Sequence, residues 1–449
     1  MDIVEFTKKI HELEVKHNFF GFKDKNDLAY WDVVRHDVFY TIYFELAEIN
    51  GVGKALHING VSKLISIYNN IWHALKLNFK LKKYSNLCFV ASRYKNEKNE
   101  NIDYAIKDII DIIKEDQTLI LETNIRFNQP YYYKSVFNVG LTMASYLERL
   151  IKKTKVDNTY RVSEILENHF GLKLDLNPFI KSLIIKYNIE YRYYKNLLGQ
   201  VKPEKIFVVQ NGIQKALFKV AHDVNIPLFE VQHGLVSFIH PAYDYPKSLN
   251  LSHLGSFPKY FLSFSNFWKN NINYPVQEKI VIGNNFFAKK LSKQIKQFEL
   301  TIITADIYSK DINASLHVLL ENGYEGNIAL KLHPNQYVEK EIIKDEFAKY
   351  KNVKVLYNEI TIKELLQISK AILAVQSTCV YEALDMNIKV LLYKIKDYKT
   401  HEDIFDNANV YQISNFNEIK QYLKRNYIFE QDACFFEPFN QSVFLSLFK

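Results

Sequence analysis

A recurring alternation of short apolar runs with amphipathic stretches constrains this chain more than any other feature. "NLCFVAS", "QTLILE", "KIFVVQNG", "IPLFEVQHG", "YFLSFS" and "KIVIGNN" are β-branched or aromatic runs bounded by polar residues. Strands of a parallel sheet read this way because helices cover both of its faces. "GIQKALFKVAHDVN" lies between two of them and reads as a helix, which gives the strand–helix–strand order of a doubly wound domain. A second alternation starts near Phe298, with strands in "FELTIITAD", "GNIALKLHPNQ", "VKVLYNE", "KAILAVQS" and "IKVLLYK". Helices in "DINASLHVLLENG", "TIKELLQIS" and "TCVYEALDMN" separate them.

The expected fold class is therefore α/β, with two Rossmann-like doubly wound domains facing across a cleft. The expected domains are residues 1–284, with a helical insertion at about 131–200, and residues 298–424. The aromatic segment 425–449 is expected to form a terminal helix crossing back to the first domain. Residues 1–20 and Tyr30–Ala47 read as helices with apolar residues three and four apart.

Composition removes several function classes. A chain of 449 residues exceeds one ordinary core, and 48% apolar with 24% charged residues is the profile of a folded protein. Cys88, Cys379 and Cys434 stand far apart with no CxxC pair, which argues against a disulfide framework or a zinc site and fits a reducing cytosol. The N-terminus alternates charged with apolar residues, unlike a signal peptide, and no apolar run is long enough to span a membrane. The net charge of +8 is compatible with an anionic partner and equally with a solvated lysine-rich surface.

Ligands of open α/β sheets bind beyond the carboxyl ends of the strands, so the strand ends carry the functional information. Four of them hold polar clusters: Gln210-Asn211-Gly212, Gln232-His233-Gly234, His333-Pro334-Asn335 and Gln376-Ser377-Thr378. No GxGxxG follows the first strand of either domain, which disfavours a dinucleotide oxidoreductase, and a P-loop is disfavoured with it. Ser377 and Thr378 fall at a strand-to-helix junction, where hydroxyls and free N–H groups attract an anion such as phosphate. Glu382, four residues past Thr378, shares that helical face and could accept from ribose hydroxyls. The plain alternative is an N-cap with a dipole-compensating carboxylate. His333 ends an apolar run, and Pro334 forces the chain out of the strand, so the imidazole can donate to a phosphate oxygen in the same crevice.

"KLHPN", followed by "QSTCVYEAL", resembles the donor half of GT-B-fold glycosyltransferases, particularly bacterial enzymes that build capsule and lipopolysaccharide chains. The pattern is similar to the sialyl- and Kdo-type transferases, with their HP and Ser-Ser or Ser-Thr motifs, and to the CDP-glycerol polymerases. The resemblance implies donor-phosphate roles for His333, Ser377 and Thr378, with Lys331 and Asn335 beside them, and a ribose role for Glu382. "EVQHGLV" resembles the HG motif of the same families and implies His233 as general base, with Gln232 and Gly234 against the acceptor. "YWDVVRHDVFY" resembles an aromatic-Trp-x-x-x-Arg segment near the acceptor, which points to Trp31 and Arg35. Val375-Gln376 departs from the acidic and aromatic pair that precedes the serines in the polymerases, which disfavours glycerol phosphate as donor.

The implied reaction is metal-independent transfer of a sugar from a nucleotide donor, CMP-linked nonulosonic acid or Kdo, or a UDP or GDP sugar, to a hydroxyl of a capsule, O-antigen or lipopolysaccharide glycan. No cofactor is expected, because the nucleotide-sugar is a co-substrate. An inverting enzyme needs a base; His233 leads, with Asp32, Asp37 and Glu122 as further candidates. For Asp32 and Asp37 the plain alternative is a solvated face paired with Arg35, and for His240 and Asp244 a cleft-edge loop with surface side chains. The expected partners are the donor, a glycan or lipid-linked glycan acceptor and the cytoplasmic face of the inner membrane or its assembly proteins, with no nucleic acid. Two other classes stay open: a nucleotide-sugar 2-epimerase, and a non-catalytic component of a polysaccharide machine.

Overall fold

The computed structural model describes residues 1–47, 83–92, 94–122, 130–133, 136–138, 160–209, 214–289, 294–305, 308–428 and 434–448. The chain divides into two compact units. The first comprises Thr7–Phe264, Trp268–Phe286 and Phe439–Lys449; the second comprises Met1–Phe6, Ser265–Phe267 and Phe287–Pro438.

The first unit is built on strands β1 (Asn86–Val90), β2 (Tyr94–Lys95), β3 (Asn101–Ile102), β4 (Thr118–Glu122), β5 (Val136–Asn138), β6 (Lys205–Val208), β7 (Leu228–Val231), β8 (Tyr260–Ser263) and β9 (Glu278–Val281). Seven of these form one sheet in the order β5-β4-β1-β6-β7-β8-β9, with every pairing parallel. β2 and β3 make a separate antiparallel ribbon. Leu87, Phe89, Leu121, Ile206 and Val208 are buried in one core, as expected of strands covered on both faces. Its helices are α1 (Ile3–Lys16), most of which lies in this unit, α2 (Tyr30–Leu46), α3 (Lys107–Ile113), α4 (Arg161–Phe170), α5 (Asn177–Val201) and α6 (Lys215–Asp223). Tyr194, Leu197 and Leu198 of α5 and Leu217 and Phe218 of α6 complete that core.

The stretch expected to be a helical insertion holds α4 and α5 but also β5, which extends the sheet beside β4. Three residues are too short for a strand to announce itself in sequence. Within 425–449 the helix is confined to Gln441–Ser446. Its Phe444 is buried with its ring 6.0 Å from that of Phe207 on β6, and Asn440 N donates to Ile282 O at 2.7 Å.

The second unit has strands β10 (Leu300–Ile303), β11 (Ile328–Lys331), β12 (Val353–Leu356), β13 (Ala371–Ala374), β14 (Lys389–Tyr393) and β15 (Val410–Ile413). Their order is β12-β11-β10-β13-β14-β15, again all parallel. Helices α7 (Ser309–Glu321), α8 (Lys340–Phe347), α9 (Ile362–Gln367) and α10 (Cys379–Asp385) alternate with them. Thr361 starts α9 with a capping box: its side chain accepts from Glu364 N, and the Glu364 carboxylate reaches back to Thr361 N at 2.9 Å. Leu300, Ile302, Leu330, Leu373 and Leu391 pack with Ile312 and Leu316 of α7. Both sheets thus have the doubly wound organisation expected from the sequence. The winding reverses between β1 and β6 in one and between β10 and β13 in the other, and such reversals open a crevice at the carboxyl ends. No helix among the described residues is long and apolar enough to cross a membrane.

Candidate functional site

In the second unit the reversal between β10 and β13 sets the geometry. Thr304, just past β10 and buried, accepts at Oγ1 from His333 N at 3.1 Å, and Gln336 Oε1 accepts from the same N–H at 3.0 Å. These two side chains hold the loop after β11 in place. His333 is extended (φ −68°, ψ 146°), as a residue before proline must be, and its side chain is exposed. Its Nδ1 accepts from Asn335 N at 3.3 Å, so Asn335 acts through its backbone. With Nδ1 used as an acceptor, the ring proton lies on Nε2, which is then a donor.

On the neighbouring β13, the loop Gln376-Ser377-Thr378 is fixed by the segment after β14. Gln376 Nε2 donates to Thr400 Oγ1 at 3.1 Å, and Ser377 N donates to His401 Nε2 at 3.2 Å. Ser377 Oγ accepts from Cys379 N at 3.3 Å, so this hydroxyl does cap α10, whereas Thr378 makes no side-chain cap. The N–H and hydroxyl of Thr378 meet no acceptor among the described residues.

Glu382, one turn along α10, lines a cavity of about 230 Å³ together with Lys363, Asp385, Phe287, Phe436 and Tyr427. His333, Ser377 and Thr378 are not among the residues lining that cavity. Burial holds the Glu382 carboxyl up at about 7, against the pull of Lys363. The Lys363 ammonium is depressed by burial and donates to Phe287 O at 3.2 Å. No hydrogen-bond donor among the described residues reaches the Glu382 carboxylate.

Lys331, expected beside the phosphate, is committed elsewhere: its buried ammonium donates to the carbonyls of Tyr357 and, at 2.8 Å, Ile360. Burial lowers its pKa, and the contacts give it a structural role in closing the turn after β12.

In the first unit, β7 runs into Gln232-His233-Gly234. Gln232 is fully buried, its Oε1 accepting from Phe264 N and its Nε2 donating to Gly234 O, both at 2.9 Å. It positions the turn and is not available to an acceptor, contrary to expectation. His233 is half-buried, and a Cβ at Gly234 would meet no atom within 4 Å, so packing alone does not demand glycine there.

The loop after His233 departs most from its reading as a surface feature. Ala242, Tyr243 and Tyr245 are buried, and Tyr243 and Tyr274 donate to the buried carboxylate of Glu230 at 2.9 and 2.7 Å. The His240 ring lies 5.9 Å from that of His36, and its Nδ1 accepts from Ala242 N at 3.2 Å. Burial depresses its basicity strongly, and His36 and His233 push in the same direction. Burial raises Asp244 to about 6; its Oδ1 accepts from Asn273 N at 2.9 Å, and its Oδ2 lies 4.0 Å from His11 Nε2. Buried Tyr243 and Tyr245 and two buried prolines, Pro241 and Pro246, pull this loop into the core, which overrides its turn-like composition.

Four further candidates are structural. Asp32 accepts from Lys215 Nζ at 2.9 Å, Tyr245 Oη at 3.2 Å and Ser256 Oγ at 2.5 Å, all buried. Arg35 pairs with Glu14, not with an aspartate of its own helix, through Nε at 2.5 Å and Nη2 at 3.1 Å. Trp31 Nε1 donates to the same carboxylate at 2.8 Å. Glu122 is buried and accepts from Ser92 N at 2.9 Å, which closes the end of β1. Asp37 is the exception, lying on the accessible side of α2 with Oδ1 3.4 Å from His36 Nδ1. Gln210-Asn211-Gly212 lies outside the described residues.

Sequence reasoning missed His401. Its Nδ1 lies 3.2 Å from Tyr381 Oη, which donates to Asp403 at 2.9 Å, and burial depresses the imidazole to about 3. A lone histidine 24 residues from the serine it holds gives no local signal; only the crossover through β14 brings them together.

No protein-family model matches the chain, and no curated protein sequence matches it either. Solved structures resembling it include the UDP-GlcNAc 2-epimerase of Methanocaldococcus jannaschii in complex with UDP-GlcNAc and UDP, at 13% identity and a TM-score of 0.48, over 81% of this chain and 98% of that one. Another is the Neisseria meningitidis 2-epimerase bound to UDP-GlcNAc, at 16% identity and TM-score 0.42, over 78% and 95% of the two chains. MurG of Acinetobacter baumannii follows at 10% identity and TM-score 0.40, over 74% and 86%.

Proposed function

We propose that the chain is a GT-B-type glycosyltransferase that moves a sugar from a nucleotide donor to a hydroxyl of a bacterial surface glycan. The observation that carries this reading is the pair of loops beside the β10/β13 reversal. There, a histidine with an outward Nε2–H donor stands on one strand end and the unengaged donors of Thr378, with the Ser377 hydroxyl, on another. Such a set of neutral donors suits the phosphate of a leaving nucleotide, whose charge grows as the glycosidic bond breaks. The unpartnered Glu382 carboxylate in its cavity supports a role in accepting from the ribose hydroxyls of the donor. The acceptor class, capsule or lipopolysaccharide glycan, rests on the sequence resemblance.

In this reading the acceptor oxygen attacks the anomeric carbon and its proton passes to His233, which Gln232 holds at the end of β7 through Gly234 O. The bond to the nucleotide phosphate breaks, and His333 Nε2–H, Ser377 and Thr378 stabilise the oxygen that departs. The test is transfer to an oligosaccharide acceptor from CMP-, UDP- and GDP-sugars by wild-type, H233A and H333A proteins. Transfer by wild type and its loss in both variants at unchanged thermal midpoint is the expected result. Epimerised sugar formed from UDP-GlcNAc without acceptor, or equal transfer by all three proteins, would sink the assignment.

A further inference from the structure

We propose that His401 is a positioning residue that sets the orientation of the Gln376-Ser377-Thr378 loop through the Ser377 N–H. The inference rests on the assignment of that loop to the donor phosphate. At a strand-to-helix turn, consecutive N–H groups compete to face the crevice, and whichever is taken internally fixes the tilt of the others. Here Ser377 N–H is taken by His401 Nε2 at 3.2 Å, Cys379 N–H by Ser377 Oγ at 3.3 Å, and Val380 N–H by Ser377 O at 3.3 Å. Thr378 N–H alone in this run is left for a ligand, together with the Thr378 hydroxyl, whereas the Ser377 hydroxyl is engaged with Cys379.

The imidazole is itself held so that only one tautomer serves. Its Nδ1 lies 3.2 Å from Tyr381 Oη, whose hydroxyl donates to Asp403 at 2.9 and 3.1 Å, so the tyrosine oxygen accepts from Nδ1–H. Nε2 is then bare and must accept. The Tyr381 ring packs against Phe435 at 5.2 Å and Phe267 at 5.7 Å, which anchors the relay in aromatic side chains. The backbone segment carrying His401 is fixed as well, since Thr400 Oγ1 donates to Asp397 O at 2.7 Å and accepts from Gln376 Nε2.

The experiment uses the full chain with UDP, CDP, GDP and CMP titrated separately into wild-type, H401A, H401Q and Y381F proteins, alongside amide exchange at Ser377. Glutamine can present a carbonyl oxygen where Nε2 stands, and phenylalanine keeps the ring packing while removing the relay hydroxyl. For the nucleotide that wild type binds, H401A should bind about tenfold more weakly, a loss of ~1.4 kcal/mol, with H401Q within about threefold of wild type and Y381F between them. Equal affinity of wild type and H401A overturns the proposal, as does failure of H401Q to recover any binding while it remains folded. If wild type binds none of the four, the donor-site assignment falls instead, and exchange judges the positioning alone. A Ser377 amide protected in wild type and released in H401A supports it, and one that exchanges equally fast in both overturns it.

Discussion

Asn335 N donates to His333 Nδ1 at 3.3 Å, which leaves the Nε2–H of that imidazole as its one donor toward solvent. In the proposed reading His333→Ala therefore removes a donor to phosphate without opening a core. Nucleotide affinity should fall about tenfold or more, the range for a hydrogen bond to a charged group, and the thermal midpoint should stay where it was. Calorimetric titration and a thermal melt on one preparation check both halves.

Glu382 makes stability depend on pH in a defined direction. Its carboxyl titrates near 4.5 when unfolded and near 7 when folded. Between those values the folded protein holds a proton that the unfolded chain has released, so stability is full below about 4.5 and declines as pH rises to about 7. The decline is at most about 3 kcal/mol and less where water reaches the half-buried group. Asp244, raised from 3.8 to about 6, adds to it with the same sign. Urea unfolding from pH 4.5 to 8 should show a smaller decline in E382Q. A nucleotide that uses the ionised carboxylate should bind wild type more tightly at pH 8 than at pH 6, and E382Q equally at both.

Removing the negative partner of a buried pair is costly, and Asp32 is such a partner. Asp32→Asn leaves the Lys215 ammonium buried without its counter-charge and should cost about 3 kcal/mol in urea unfolding. Transfer per folded molecule should be unaltered; a selective loss of turnover at full stability would instead assign Asp32 a catalytic role.

Lys331→Met tests the other reassigned group. It strips the carbonyls of Tyr357 and Ile360 of their donor and should cost about 1–3 kcal/mol, with nucleotide affinity within twofold of wild type. A tenfold loss of affinity would return Lys331 to the phosphate.

Gly234 offers the converse case. No atom within 4 Å would contact an added Cβ, so Gly234→Ala should leave the melting midpoint within about a degree of wild type. If an acceptor approaches His233 across that gap, KM for the acceptor should rise severalfold while donor affinity holds.

What the sequence disclosed follows from which forces act locally. Strands such as Leu300–Ile303 and Ala371–Ala374 are buried along their whole length and so appear as uninterrupted apolar runs. β15, with half-buried Gln412 in a four-residue span at the sheet edge, gives no comparable signal, and β5 is shorter still. The strand-end clusters at His233, His333 and Ser377 were legible because polar residues interrupt apolar runs there. The charges of α2 look like a solvated face in sequence, but the structure buries Asp32 and Arg35. Trp31, Val34, Val38, Phe39 and Ile42 bury the helix on several sides, and Asp32 and Arg35 go inward with them toward partners as distant as Lys215. Nothing in a single sequence couples Asp32 to a lysine 183 positions away, or Ser377 to His401.

The segment Phe439–Lys449 gives the first unit a peculiar schedule. A ribosome delivers β1 through β9 early, but Phe444, whose ring seats beside Phe207, and Asn440, which bonds Ile282, emerge only after all six strands of the second sheet. Domains usually fold in the order in which they are made. Here the unit whose sheet is made first is completed last, after the ribosome has already delivered the whole of the other sheet.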